Sequence, residues 1–92
     1  MAKIFVVDQE FKASVKAFKV QHEFQADITV FVVKHDYQAK DDAKWVYVDR
    51  DFSASTKLFW VTHEFQADLK VFFVNHEFQA KWKKGHKLQN RL

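Results

Sequence analysis

Four times the chain sets a histidine directly before an acid: His22-Glu23, His35-Asp36, His63-Glu64 and His76-Glu77. An imidazole beside a carboxylate is the raw material of general acid–base chemistry. Four imidazoles brought together would also suit zinc, whose structural sites take Cys, His or carboxylate ligands. Adjacency works against the first idea, because neighbours in a strand point to opposite faces and so form no ready dyad. The second needs stacked copies whose histidine column converges. The simpler expectation is that these are polar positions that cap turns, make ordinary hydrogen bonds or meet solvent. Ser14, Ser53, Ser55 and the threonines have no recognisable base and orienter, and the single glycine, Gly85, makes no phosphate loop. The expectation is therefore no catalytic residue, no metal, no cofactor and no enzyme.

Two other groups could bind something. From Lys81 onward the chain carries Lys81, Lys83, Lys84, Lys87 and Arg91 and no acid, with Trp82 and His86 among them. Cations with an aromatic suit phosphate contact plus base stacking, or an anionic membrane surface. The competing reading packs Trp82 inward and leaves the lysine heads in water. Residues 1–80 hold ten basic and twelve acidic residues, so the formal charge of +3 describes the tail and not the body. The second group is Tyr47, Trp60 and Phe73, aromatics in one variable column that would make a protein interface or homo-oligomer patch if they faced outward.

Those columns exist because the chain repeats. A valine recurs at positions 7, 20, 33, 48, 61 and 74, an acid at 10, 23, 36, 51, 64 and 77, an aromatic at 11, 24, 37, 52, 65 and 78, and an alanine at 13, 26, 39, 54, 67 and 80. The spacing is thirteen residues, lengthened by two around Asp41-Asp42-Ala43. A unit this short cannot bury its own apolar face, so the copies fold together or not at all. Each holds one strand candidate rich in Val, Phe, Trp or Tyr: 4–7, 17–20, 29–33, 44–48, 57–61 and 70–74. The recurrent aromatic or valine at 5, 18, 31, 46, 59 and 72, with the valine two residues later, reads as the core face, and the opposite face reads as mixed, with Lys19 in one copy and Val6, Val32, Tyr47, Trp60 or Phe73 in the others.

An odd period would flip every side chain from copy to copy, so each unit must reset its phase by a turn, bulge or short helical step. With no glycine there, Asp, Asn, His or Gln must supply the turns, Asp27 and Asp68 bonding locally to backbone N–H groups. A thirteen-residue solenoid coil leaves little room for its aromatics, and an open meander leaves two sticky edges, so closure is favoured. The expected class is all-β: about seven short strands closed around one core in a single repeat domain, 1–92, with a divergent basic segment at 81–92. The 92 residues hold eleven Phe and no Cys, which suits a folded chain without disulfides and a cytoplasmic location. Met1-Ala2-Lys3-Ile4-Phe5-Val6-Val7-Asp8 is too short for a signal h-region, and no apolar run is long enough for a membrane-inserting helix.

The units at 70–80, Lys-Val-Phe-Phe-Val-Asn-His-Glu-Phe-Gln-Ala, and at 27–39 resemble those of the 7(1) septoil knot domain family of small bacterial proteins. The resemblance runs from Lys3 to about Leu88. It implies a compact, mainly β domain whose backbone forms a seven-crossing torus knot, and it brings no biochemical activity with it. A knot of near-identical units implies slow folding and a high barrier to unfolding. The chain departs from its own pattern at Gln9 and Arg50, which stand in the histidine column, and at 83–88, which keeps only the basic and apolar character of a strand. The function expected is a structural or protein-interaction role, with weak nucleic-acid binding through Lys81, Trp82, Lys83, Lys84, Lys87 and Arg91 as the alternative.

Overall fold

A computed structural model describes residues 2–92. Seven strands run β1 Ala2–Val6, β2 Val15–Lys19, β3 Ile28–Val33, β4 Lys44–Tyr47, β5 Thr56–Trp60, β6 Leu69–Phe73 and β7 Lys81–Trp82. After each of the first six comes one 3₁₀ turn, at Glu10–Lys12, Glu23–Gln25, Asp36–Gln38, Asp51–Ser53, Glu64–Gln66 and Glu77–Gln79. The flanking residues are extended in all but the third unit, where Ala39 departs from that conformation. Three residues wound into such a turn take up the odd count of the period, and this is the expected phase reset. Among the described residues no α-helix forms, and no helix is long and apolar enough to cross a membrane.

The sheet runs β4-β1-β5-β2-β6-β3-β7, and a β3–β4 pairing closes the first six strands into a ring. All six are mutually parallel; β7 lies antiparallel along the start of β3. Partners shift steadily, Ile4 facing Thr56, Leu58 facing Val15, Ala17 facing Leu69 and Val71 facing Ile28. A stagger of that kind tilts barrel strands steeply. Steep tilt carries each strand most of the way round to the next, which is why crossovers shorter than the usual parallel connection suffice.

Strands consecutive in the chain are not neighbours in the ring, except β3 and β4, where the two-residue lengthening falls. The β1–β2 connection passes over β5, with Val7 N–H donating to the Leu58 carbonyl (2.9 Å) and Ser14 N–H to that of Lys57 (2.8 Å). The β4–β5 connection passes over β1 in the same way, Val48 N–H to Ile4 (2.9 Å) and Ser55 N–H to Lys3 (2.8 Å). Each half of the chain thus straps down strands of the other.

The barrel is filled by Ala2, Ile4, Val15, Ala17, Ile28, Val30, Ala43, Trp45, Leu58, Leu69 and Val71. This corrects the expected core face: the interior belongs to the face read as mixed. The recurrent valines Val7, Val20, Val33 and Val61 are nevertheless buried, with Val48 and Val74 half-buried. They lie on the outer face, as does the small cluster of Val33, Ala39 and Val46 against Phe31. The physical reason is that parallel strands under crossovers are covered on both faces, so apolar columns occur on both. Asp27 and Asp68 also differ from expectation: they accept from Lys70 N–H (3.0 Å) and Lys16 N–H (3.3 Å), in distant units, as Ser14 and Ser55 do from Lys57 (3.0 Å) and Lys3 (2.8 Å). The seventh strand falls at Lys81–Trp82, ahead of the divergent segment 83–88.

Candidate functional site

The two ends of the barrel are finished differently. At one end the tail folds back, burying Leu92 and half-burying Trp82, His86 and Leu88. Its anchor is Asp42, a buried carboxylate that accepts from Trp82 Nε1 (3.1 Å), from Leu92 N–H (3.2 Å) and from Asn90 N–H. The Asp42 carbonyl accepts from Nε1 of the fully buried Trp45 (2.7 Å), tying the anchor to the barrel centre. Asn90, at φ 67°, turns the chain so that its own N–H and that of Leu92 both meet the carboxylate, while the Arg91 N–H between them donates to the Leu88 carbonyl (2.9 Å).

The tail's expected nucleic-acid contacts are spread over that seal. Trp82 stacks on His86 (5.4 Å between ring centroids), Lys83 pairs with Glu23 (2.8 Å), and Lys84 pairs with Asp27 (3.1 Å), which His86 also approaches (3.5 Å). Lys81, Lys87 and Arg91 are exposed and make no ion pair among the described residues. The arrangement fits the inward-packing reading of Trp82 better than a free stacking platform. The hydrogen bond and charge of Lys83 hold the Glu23 carboxyl below its ordinary value. A depressed folded-state pKa means the tether is complete above the usual glutamate range and is lost as pH falls through the lowered value. An NMR titration should show Lys83 side-chain resonances moving at that lower pH in the native protein and not moving there in Glu23→Gln.

At the other end, positions 6, 19, 32, 47, 60 and 73 continue the inward-facing alternation past the last core layer. They are Val6, Lys19, Val32, Tyr47, Trp60 and Phe73. The structure brings the three expected interface aromatics, Tyr47, Trp60 and Phe73, to one shallow cavity of about 420 Å³, shared with Phe18, Lys19 and Val61. Trp60 and Phe73 pack on each other (5.9 Å) and on the buried Trp45 (6.4 and 5.9 Å), so the dish is rigidly floored by the core. Val6, Val32 and Tyr47 each leave about two-fifths of their surface in water (42%, 41% and 44%). Burial pushes the Tyr47 phenol above its usual pKa, so it is a neutral hydroxyl near neutral pH. Lys19 is the one charged rim member, and its Nζ lies 5.5 Å from the Phe73 ring centre. Sequence singled out the three aromatics by their shared column; it named Lys19 as the odd member of that face but did not connect it with them.

A larger groove of about 600 Å³ on the flank is lined by Lys3, Asp36, Tyr47, Val48, Asp49 and Ser53. Its lysine already faces Asp36 (3.8 Å), and it lacks a packed aromatic floor. The histidine column does not converge: His22, His35, His63 and His76 sit exposed before separate turns, each stacked on the aromatic two residues on (5.5, 5.3, 5.5 and 5.5 Å). Among the described residues no three His, Cys, Asp or Glu stand close enough to hold a metal. The turn aromatics Phe11, Phe24, Tyr37, Phe52, Phe65 and Phe78 are 68–85% exposed.

The family model of the 7(1) septoil knot domain matches residues 1–83. No curated protein and no solved structure matches the chain.

Proposed function

The chain belongs to the 7(1) septoil knot domain family, a membership that describes a backbone and leaves its use open, and on that premise we propose that it is a protein-interaction module whose open barrel mouth seats an apolar side chain of a partner. The carrying observation is the asymmetry of the ends. The chain seals one mouth with its own Trp82, Leu88 and Leu92, and leaves Tyr47 exposed and Trp60 and Phe73 partly exposed at the other. Rigid aromatics over a packed floor are the usual anchors of interfaces. The dish is lined by six residues, few against the roughly 20–30 residues a side of a standard interface, so docking is expected to be weak and reversible. A seven-crossing knotted backbone, a bacterial origin and a cytoplasmic location belong to the same proposal.

Panning a random peptide library on the folded protein tests it. Selected peptides should carry a large apolar residue. Trp60→Ala should weaken them roughly thirtyfold, the equivalent of about 2 kcal/mol. Because Trp60 also touches Trp45, Tyr47→Ala serves as the variant that spares the core. Peptides bound equally by both variants and by the parent protein would remove the mouth from the account. Nucleic-acid binding through the tail is the second reading, and the paired Lys83 and Lys84 and the engaged Trp82 indole favour it less. A salt-dependent gel shift with single-stranded oligonucleotides, abolished by neutralising Lys83, Lys84 and Lys87, would restore it.

A further inference from the structure

Resting on the docking reading above, we infer that the segment seated in the mouth carries a carboxylate beside its apolar side chain, and that Lys19 receives it. Lys19 makes no ion pair among the described residues, and its ammonium lies against Phe73 within the area a partner would cover. The neighbouring phenol of Tyr47 is neutral and supplies no counter-charge. Covering an ammonium with an apolar partner strips its water without replacement, and that penalty is large unless an anion arrives with the partner. The sealed end provides the internal comparison. There the buried charge is the Asp42 carboxylate, and the chain's own tail delivers three N–H donors to it. The open end has the opposite charge and no internal answer. Its complement is an acidic peptide segment: an apolar residue with Asp or Glu next to it or one residue further on, the spacing that lets a carboxylate reach Lys19 while the apolar group rests on Trp60 and Phe73.

The test uses the full-length protein and three short labelled peptides in a neutral Gly/Ser frame, carrying Leu-Asp, Leu-Asn or Leu-Lys, followed by fluorescence anisotropy. The Leu-Asp peptide should bind at least roughly tenfold more tightly than Leu-Asn. Lys19→Glu should reverse the order so that Leu-Lys binds best, with the native circular dichroism spectrum retained. If Leu-Asp and Leu-Asn bind alike, or Lys19→Gln leaves both unchanged while Tyr47→Ala weakens them, the carboxylate inference is overturned and the docking reading stands. If Tyr47→Ala and Trp60→Ala change nothing, the docking reading itself falls. No binding of any peptide at millimolar concentration overturns both. A dimer in sedimentation that Lys19→Glu dissociates would make a second copy the occupant, and displacement of the peptide by a single-stranded oligonucleotide through Lys19 would make it a phosphate polymer. Either result replaces the acidic peptide.

Discussion

Replacing Asp42 with alanine is expected to lower the free energy of unfolding by about 3 kcal/mol or more, and to free residues 83–92 before the barrel melts. The residue is 6% exposed and its carboxylate is the shared acceptor for Trp82 Nε1, Asn90 N–H and Leu92 N–H. Hydrogen bonds to a charged acceptor contribute roughly 1.5 to 3 kcal/mol each, and removing the acceptor strands all three donors together. Complete loss of all three contributions is avoided only because the tail can detach and let water reach them. That escape exposes Leu92 and the lower faces of Trp82 and Leu88, so it carries its own apolar penalty. Denaturant melts of the parent, Asp42→Asn and Asp42→Ala give the measurement, with amide exchange at Asn90 and Leu92 as the local readout. Asp42→Asn, which keeps an acceptor oxygen, should fall between the other two. A loss below about 1 kcal/mol in Asp42→Ala would mean that the tail is not anchored there.

The second large effect is kinetic. Unfolding extrapolated to water should be far slower than is ordinary for a domain of this size, at or below the slow end of the small-domain range near 10⁻⁶ per second. The cause is the strapping. β5 lies under the β1–β2 crossover and β1 under the β4–β5 crossover, so neither half can peel away until the other has loosened. Val7, Ser14, Val48 and Ser55 each donate to a strand of the opposite half, at 2.8 to 2.9 Å. Contacts that all must open in the transition state slow unfolding without requiring high equilibrium stability. A denaturant-jump series that extrapolates to unfolding complete within about a second would defeat this expectation. A mixed test is available in Ser14→Ala, which removes a side-chain acceptor at the β1–β2 strap and should speed unfolding more than it slows folding.

Much of the architecture was legible because the repeat aligned columns. The six strand candidates fall within a few residues of those observed, and the odd period demanded the phase reset that the 3₁₀ turns supply. Closure followed from the two sticky edges an open meander would leave. What could not be read was which apolar column faced inward. Ile4 and Phe5 are both apolar, and both positions lie in covered layers once crossovers blanket the outside, so residue type does not rank them. The exposure of Phe11 and Phe65 could not be read either, because an apolar residue on a turn looks like one in a core until the turn is placed. Asp42 looked like part of an insertion, since nothing local distinguishes it from Asp41, and its three donors come from residues forty or more positions away. Lys19 was visible as the odd member of its column, but its meaning depended on a ring that makes β2 and β6 neighbours.

The ring also restrains how such a gene can evolve. Open arrays gain or lose copies by unequal recombination, because one more or one fewer unit merely lengthens or shortens the stack. Here the first three strands take alternate places and the next three fill the gaps, so excising one internal copy would leave a vacancy and shift every later strand into a slot of the wrong stagger. Identical stretches such as those at 63–67 and 76–80 invite that recombination in the DNA. The protein has no tolerated product to offer it, and copy number is held at six by geometry.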